Sequence, residues 1–155
     1  MTPFSTRLAT CFGIGWIPLA PGTFASAAAL PFGWLLVLLG WKTVLIGALL
    51  VTALGIWACG EHGRKVGIYD PSECVLDEVA GQWFTLIPIA LDARGADWRP
   101  YAMAFLLFRL FDILKPWPVS AVERLPGGFG IMMDDVLAGL IAAVLLYGTL
   151  AIGLV

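Results

Sequence analysis

Long apolar segments without any charge are the feature that most restricts how this chain can fold. Phe24–Gly40, Thr43–Gly60 and the last 20 residues, Val136–Val155, contain no charged side chain. An α-helix rises about 1.5 Å per residue, so segments of this length cross most or all of the roughly 30 Å hydrocarbon core of a bilayer. We therefore predict that these three segments are membrane-spanning helices.

Two further apolar segments, Val79–Leu91 and Tyr101–Leu114, are shorter and reach spanning length only with their polar ends included. No segment alternates polar and apolar residues as a half-buried strand does, and an open sheet edge could not lie in lipid. With 60% hydrophobic and 13% charged residues, the chain is too apolar for a soluble domain. We predict an all-α integral membrane bundle of about five hydrophobic helices, forming one domain over residues 1–155.

The topology follows from passing the five segments through the bilayer in alternation. Residues 1–23, 61–78 and 115–135 then lie on one side, with five basic residues against three on the other. The five are Arg7, Arg64, Lys65, Lys115 and Arg124, and the three are Lys42, Arg94 and Arg99. Because the side richer in Lys and Arg is usually cytoplasmic, we predict that the first side faces the cytoplasm.

Charge and cysteine usage exclude several classes of protein. A net charge of −2 gives no concentrated basic surface, so a nucleic-acid partner is not expected. The three cysteines have no CxxC spacing, which argues against a disulfide framework or a thiolate metal site. Cys59 and Arg64 are separated by four residues rather than the five of a thiolate phosphatase loop, and a single histidine cannot serve as both nucleophile and acid. Chemistry assisted by a metal and carboxylates remains.

Acidic residues gather on the predicted cytoplasmic side, at the ends of the last three helices. Asp77-Glu78 is expected to open the third helix and Asp134-Asp135 the fifth, while Asp112 lies about a turn from the end of the fourth. Converging carboxylates repel one another unless a cation joins them, and an all-oxygen group suits Mg²⁺. The predicted ligands are Asp77, Glu78, Asp112, Asp134 and Asp135. The alternative is that the acids only cap their helices.

Basic residues and glycine-rich loops accompany these acids. Arg109, Asp112 and Lys115 are spaced i, i+3, i+6 and are expected to share one helix face. They form either an internal ladder of salt bridges or a surface on which Arg109 and Lys115 bind a phosphoryl group. Gly22 and Thr23 end a loop that can present backbone N–H groups to phosphate, although Thr23 or Ser26 could simply cap the next helix. The 127–130 segment is a second such loop.

Four segments together resemble the pattern of the phosphatidylglycerophosphatase A family of bacterial membrane lipid phosphatases, in the family's order, over about residues 12–140. They are Gly13–Thr23, Asp70–Gly81, Phe108–Pro118 with Glu123, and Gly128–Gly139. The third and fourth segments are the specific ones. One departure is Ala25, where the family pattern leads us to expect glycine.

The resemblance implies an activity in phospholipid biosynthesis: Mg²⁺-dependent hydrolysis of the terminal phosphomonoester of phosphatidylglycerophosphate at the cytoplasmic face of the bacterial inner membrane. The expected catalytic residues are Asp77, Glu78, Asp112 and Asp135, and one carboxylate not bound to metal, such as Glu78, would take the proton. Arg109, Lys115, Gly22 and Thr23 would bind the substrate. A small ion- or proton-coupled transporter that uses the intramembrane acids is the alternative from a different class.

Overall fold

The computed structural model describes residues 3–92 and 95–155, so Arg94, which was counted in the topology, lies outside the described residues. The helices are α1 (Phe4–Ala9), α2 (Pro21–Leu38), α3 (Trp41–Val66), α4 (Leu76–Thr85), α5 (Ile87–Leu91), α6 (Arg99–Leu114), α7 (Val119–Val122) and α8 (Gly127–Ala151), with a 3₁₀ helix at Cys11–Trp16. The described residues contain helices and no strand, which confirms the all-α class.

Three helices, α2, α3 and α8, are long and apolar enough to cross a membrane. The other two predicted segments are shorter elements. Val79–Leu91 is divided into α4 and α5 near Leu86, because Pro88 lacks an amide hydrogen and disfavours helical geometry in the residue before it. Helix α6 has 16 residues. Within residues 3–92 and 95–155, three helices thus have the length and hydropathy of a membrane span, which fits a helical membrane protein, and the predicted count of about five hydrophobic helices is not confirmed.

Two predicted helix boundaries are wrong in a way that affects the site. The second apolar segment was predicted to end at Gly60, but α3 continues to Val66 and stops where Gly67 adopts a φ of 72° and donates to the carbonyl of Gly63. Helix α8 begins at Gly127 rather than Val136, so Asp134-Asp135 lies two turns inside it instead of opening it. The acids of α8 are thus recessed by about 12 Å from the helix start.

Small residues allow the central helices to approach closely. Helix α4 packs against α8 and α3, α2 lies against α4, and α6 packs on α8. A Cβ at Gly139 of α8 would overlap the carbonyl oxygen of Gly81 in α4, and one at Gly128 would overlap the carbonyl oxygen of Ile56 in α3. Close backbone approach at such positions is how helices gain packing energy in lipid. This packing sets the distance between the acids of α4 and those of α8.

We expect Gly139→Ala to destabilise the bundle, because the added methyl group must push α8 away from α4. Overpacking of this kind costs about 1–3 kcal/mol, or about 2–12 °C in Tm for a chain of this size. Gly148→Ala is the matched control in the same helix, since its Cβ would meet nothing within 4 Å. Thermal unfolding in detergent micelles tests the pair. An equal Tm for the two variants would contradict the close contact of α4 and α8.

A buried histidine fastens the segment that leads into α4. His62, in α3, is 4% exposed. Its Nδ1 lies 3.2 Å from the hydroxyl of Thr6 in α1, and its Nε2 lies 3.0 Å from a carboxylate oxygen of Glu73. Helix α1 and the segment before α4 are therefore both held to α3, which fixes where α4 begins.

Candidate active site

Three carboxylates from three helices meet near the start of α4. Glu78 is the third residue of α4, Asp112 is the third residue from the end of α6, and Asp135 lies in the third turn of α8. One oxygen from each side chain lies within 4.8 Å of the other two. Glu78 and Asp135 are buried, and Asp112 is partly exposed. We call Glu78, Asp112 and Asp135 the acidic trio.

Arg109 and Ser26 complete the immediate surroundings of the trio. Nη1 of Arg109 lies 2.8 Å from Oδ2 of Asp112 and also forms an ion pair with Oε2 of Glu78. The hydroxyl of Ser26 donates to the same Glu78 oxygen at 2.8 Å. Arg109 and Asp112 therefore share a helix face, as expected, and they form the salt bridge of the ladder alternative. The guanidinium in addition joins α6 to α4.

The donor set of the trio fits a small divalent cation. The three carboxylates of the trio and the guanidinium of Arg109 together carry a net charge of −2 when all are ionised, and one divalent cation neutralises this charge. Two oxygens that bind the same Mg²⁺ at 2.0–2.1 Å are at most about 4.2 Å apart. Neighbouring oxygens around one octahedral ion are about 2.9 Å apart, so from separations of up to 4.8 Å side-chain rotations that move the oxygens by about 1–2 Å would bring the trio onto one ion.

Crowding of carboxylates also affects proton affinity at the start of α4. Burial raises the pKa of the Glu78 carboxyl, and the negative charge of Asp112 adds to this effect, while Arg109 and Ser26 oppose it. Burial, followed by repulsion from Glu78, raises the pKa of Asp77 well above its usual range. Asp77 lies outside the trio and accepts the backbone N–H of Glu78 at 2.9 Å. Both shifts reflect negative charge in a poorly solvated space.

Lys115 lies beside the trio but pairs with other acids. Its Nζ lies 2.6 Å from Oε1 of Glu123 and 2.8 Å from Oδ2 of Asp134. The expectation that Lys115 shares a helix face with Asp112 is wrong, because α6 ends at Leu114 and Lys115 adopts a left-handed φ of 42°. Burial alone would lower the pKa of Lys115, but its hydrogen bonds to Asp134 and Glu123 outweigh this and raise it.

We expect Lys115→Met to destabilise the protein through Asp134, whose carboxylate is 6% exposed and would lose its cation. Breaking a buried ion pair from one side costs about 3–5 kcal/mol. The double variant Lys115→Met/Asp134→Asn removes both charges and is expected to recover most of that loss. Thermal unfolding in detergent compares the three proteins. Recovery by Asp134→Asn of less than a third of the loss would show that Lys115 stabilises the fold by other contacts.

The two glycine-rich segments have different surroundings from those expected. A Cβ at Gly22, in the first turn of α2, would overlap Oε1 of Glu78, so this glycine lies directly on the trio, and half-buried Thr23 follows it. Gly128 and Gly130 form the first turn of α8 instead of a loop. Their Cβ positions point at the carbonyl of Ile56 in α3 and at that of Leu125 just before α8, so close backbone packing requires glycine at both positions.

Gln82 is a buried polar residue near the site that motif reasoning missed. It is fully buried in α4, one turn beyond Glu78, and neither polar atom of its amide has a hydrogen-bond partner within residues 3–92 and 95–155. An unpaired buried amide is costly, so Gln82 is a candidate contact for a polar ligand. The sequence does contain a signal for it. Gln82 follows Glu78 by four residues, so the two polar side chains lie on the same face of a helix in an otherwise apolar segment.

The fold and the site define a helical membrane protein with an acidic, arginine-containing centre recessed between its helices. The model of the family described as Phosphatidylglycerophosphatase A matches residues 7–150 of the chain. The chain belongs to this family, and it is a phosphatase. The resemblance carried by the four sequence segments is thereby confirmed.

Individual relatives agree over most of their length. The chain is 38% identical to phosphatidylglycerophosphatase A of Escherichia coli (strain K12), covering 90% of this chain and 80% of the relative. It is 41% identical to phosphatidylglycerophosphatase A of Haemophilus influenzae, covering 90% and 85%. A Bacteroides thetaiotaomicron protein that is provisionally named a phosphatidylinositol-3-phosphatase is 40% identical, covering 90% and 89%. No solved structure matches the chain significantly.

Proposed function

We propose that this phosphatase hydrolyses the terminal phosphomonoester of phosphatidylglycerophosphate, giving phosphatidylglycerol and phosphate with the help of Mg²⁺. The convergence of the acidic trio around Arg109 is the observation that carries the proposal, because it combines a cation site with a guanidinium suited to phosphate. The names of the Escherichia coli and Haemophilus influenzae relatives support the choice of substrate. Membership of a phosphatase family favours hydrolysis over ion-coupled transport.

Glu78, Asp112 and Asp135 would hold the Mg²⁺ ion. Bound at this position, Mg²⁺ polarises phosphoryl oxygens and makes a water molecule easier to deprotonate. Arg109 contacts the trio through Nη1, while its buried Nε has no hydrogen-bond partner in the described part of the chain. We assign the remaining donors of Arg109 to the substrate phosphate, where they neutralise charge and orient the phosphorus atom.

The proton of the attacking water needs an acceptor outside the cation site. Oε2 of Glu78, suggested as a base by the sequence, is already an acceptor for Ser26 and Arg109. We assign the role to Asp77, which adjoins the trio without belonging to it. The water oxygen bonds to phosphorus, the ester P–O bond breaks, and the glycerol oxygen that leaves takes up the proton that Asp77 accepted, which restores the Asp77 carboxylate. The backbone of Gly22 and Thr23, in the first turn of α2, is assigned to binding the phosphate.

We infer that the trio faces the cytoplasm from the bacterial inner membrane and that the 95–98 segment lies on the opposite side, on the basis of the Lys and Arg distribution. Cysteines introduced at the exposed positions Ser72 and Ala96 report the orientation. In intact cells, a membrane-impermeant thiol reagent is expected to label Ala96→Cys and to reach Ser72→Cys only after lysis. The parent chain measures the background from its three native cysteines. The reverse pattern would invert the topology.

The activity is tested by phosphate release from three lipid phosphates in the same detergent micelles: phosphatidylglycerophosphate, phosphatidylinositol 3-phosphate and phosphatidate. We expect turnover of the first to exceed that of the others by at least about tenfold, and chelation by EDTA to abolish it until Mg²⁺ is restored. A preference for phosphatidylinositol 3-phosphate would transfer the assignment to the activity named for the Bacteroides relative. Full activity in EDTA would show that hydrolysis does not need a divalent cation.

A further inference from the structure

An apolar cavity of about 510 Å³ separates α2 from the beginning of α6. It is open on one side, where the lipid would lie. Its principal lining side chains are Ala27, Leu30, Pro31, Trp34, Trp98 and Tyr101. Two hydrogen bonds to the carbonyl of Gly95 close the end away from the trio, one from Nε1 of Trp34 at 2.8 Å and one from the hydroxyl of Tyr101 at 3.1 Å. We call this cavity the α2–α6 groove.

On α2 the groove begins at Ala27, the residue after Ser26, whose hydroxyl bonds to Glu78 of the trio. On α2, Trp34 at its closed end lies eight residues after Ser26, and on α6, Tyr101 lies eight residues before Arg109. Both spacings correspond to about 12 Å of helix, so the two walls have the same height. Ser26 and Arg109 contact Glu78 at the top of these walls. A ligand in the groove would therefore have its polar end at the trio.

We propose that the α2–α6 groove binds one acyl chain of the lipid phosphomonoester whose phosphate is held by Arg109. The inference rests on the proposed function, because it takes the substrate to be a phospholipid. The groove runs about 12 Å along α2 beyond Ser26 and is open on one side, so an acyl chain of a lipid whose phosphate lies at Arg109 can lie along it. Apart from Asp97, the side chains that line the groove are mainly apolar, whereas a soluble phosphomonoester would need several polar partners there.

A second apolar cavity makes the assignment specific. It encloses about 420 Å³ on the opposite face of α2, where Ala28 and Phe32 line it together with Val79 and Trp83 of α4. The line of contact between α2 and α4 separates this cavity from Arg109, since Ser26 bonds to Glu78 and Nε1 of Trp83 bonds to the carbonyl of Ala29. The substrate chain is therefore assigned to the α6 side of α2.

The test fills each cavity with the same side chain. Ala27→Phe occupies the α2–α6 groove, Ala28→Phe occupies the second cavity, and Ala53→Phe adds the same ring to an exposed face of α3. For Ala27→Phe we expect KM to rise about tenfold for long-chain phosphatidylglycerophosphate and to stay within twofold for the dihexanoyl form. Both controls are expected to leave the two substrates unaffected. Ala27→Leu is the milder variant and is expected to give a smaller shift in the same direction.

A second readout separates this proposal from the proposed function. A lipid phosphate with a photoreactive group in one acyl chain is expected to cross-link to α2 or α6 in the unaltered protein and in Ala28→Phe, but not in Ala27→Phe. Cross-linking there without hydrolysis would support the groove and refute the activity. Hydrolysis with cross-linking elsewhere, an equal KM change for both chain lengths, or a chain-length effect in Ala28→Phe would overturn the groove assignment.

Discussion

Asp112→Asn and Asp135→Asn are each expected to reduce turnover by about 10³-fold or more at saturating substrate. Asparagine keeps the volume of aspartate but removes a charge from a three-carboxylate site, so the affinity for Mg²⁺ falls along with the stabilisation that the ion gives to the transition state. A loss of about 4 kcal/mol corresponds to this factor. Initial rates measured over a Mg²⁺ titration in detergent micelles give both the maximal rate and the Mg²⁺ midpoint.

Two other variants give this experiment its controls. Glu61→Gln removes a carboxylate that forms exposed ion pairs with Arg64 and Lys65 on α3. It is expected to change neither the maximal rate nor the Mg²⁺ midpoint. Asp77→Asn is expected to lower the rate by about 10²–10⁴-fold, the usual contribution of a general base, while leaving the Mg²⁺ midpoint unchanged. Near-normal activity of both trio variants would show that these acids act only as helix caps and salt-bridge partners.

Arg109→Met is expected to combine a large loss of activity with a stability that depends on Mg²⁺. Without the guanidinium, Glu78 and Asp112 lose their cation in a space where both are mostly buried, which costs about 3–5 kcal/mol or roughly 6–20 °C in Tm. A divalent cation at the trio would restore part of this loss. Removing charge-assisted bonds to phosphate is expected to lower kcat/KM by about 10–100-fold per bond.

Unfolding of Arg109→Met in EDTA and in Mg²⁺ is therefore the informative comparison, with kcat/KM measured in Mg²⁺. Arg64→Met is the matched control, since Arg64 is exposed and pairs with Glu61 on the surface. It is expected to leave Tm and activity unchanged in both conditions. If the Tm of Arg109→Met were the same with and without Mg²⁺, the trio would not be the site that binds the cation.

Local sequence patterns predicted much of the site but not its depth. The expected positions of Asp77-Glu78 at the start of a helix and of Asp112 near the end of another are confirmed. The position of Asp134-Asp135 was misjudged, because glycines at 127, 128 and 130 were interpreted as a loop. In the folded chain these glycines are within the first turn of α8, and Gly128 and Gly130 lie where side chains would strike neighbouring backbone. A glycine requirement imposed by a neighbouring helix cannot be distinguished locally from one imposed by a turn.

Only the tertiary structure shows which of the five candidate acids belong to the trio and which pair with Lys115. Adjacent aspartates at 134 and 135 point about 100° apart around α8, so one reaches the trio and the other reaches Lys115. Which of them does so depends on how α8 is rotated against α4 and α6. The rotation is set by packing contacts such as Gly139 on Gly81, between residues distant in sequence.

By itself, the sequence determined the all-α membrane class, the family and the gathering of acids and Arg109 at one end of the bundle. These follow from local properties: lipid offers no hydrogen-bond partners, so long apolar segments must be helical, and a charge placed near a helix end stays near that end. Only the tertiary structure decided that Glu78, Asp112 and Asp135 form the trio, that Lys115 pairs with Asp134, and that an apolar groove lies between α2 and the beginning of α6. Each of these depends on the distance and rotation between helices, which arise from side-chain packing over the whole bundle.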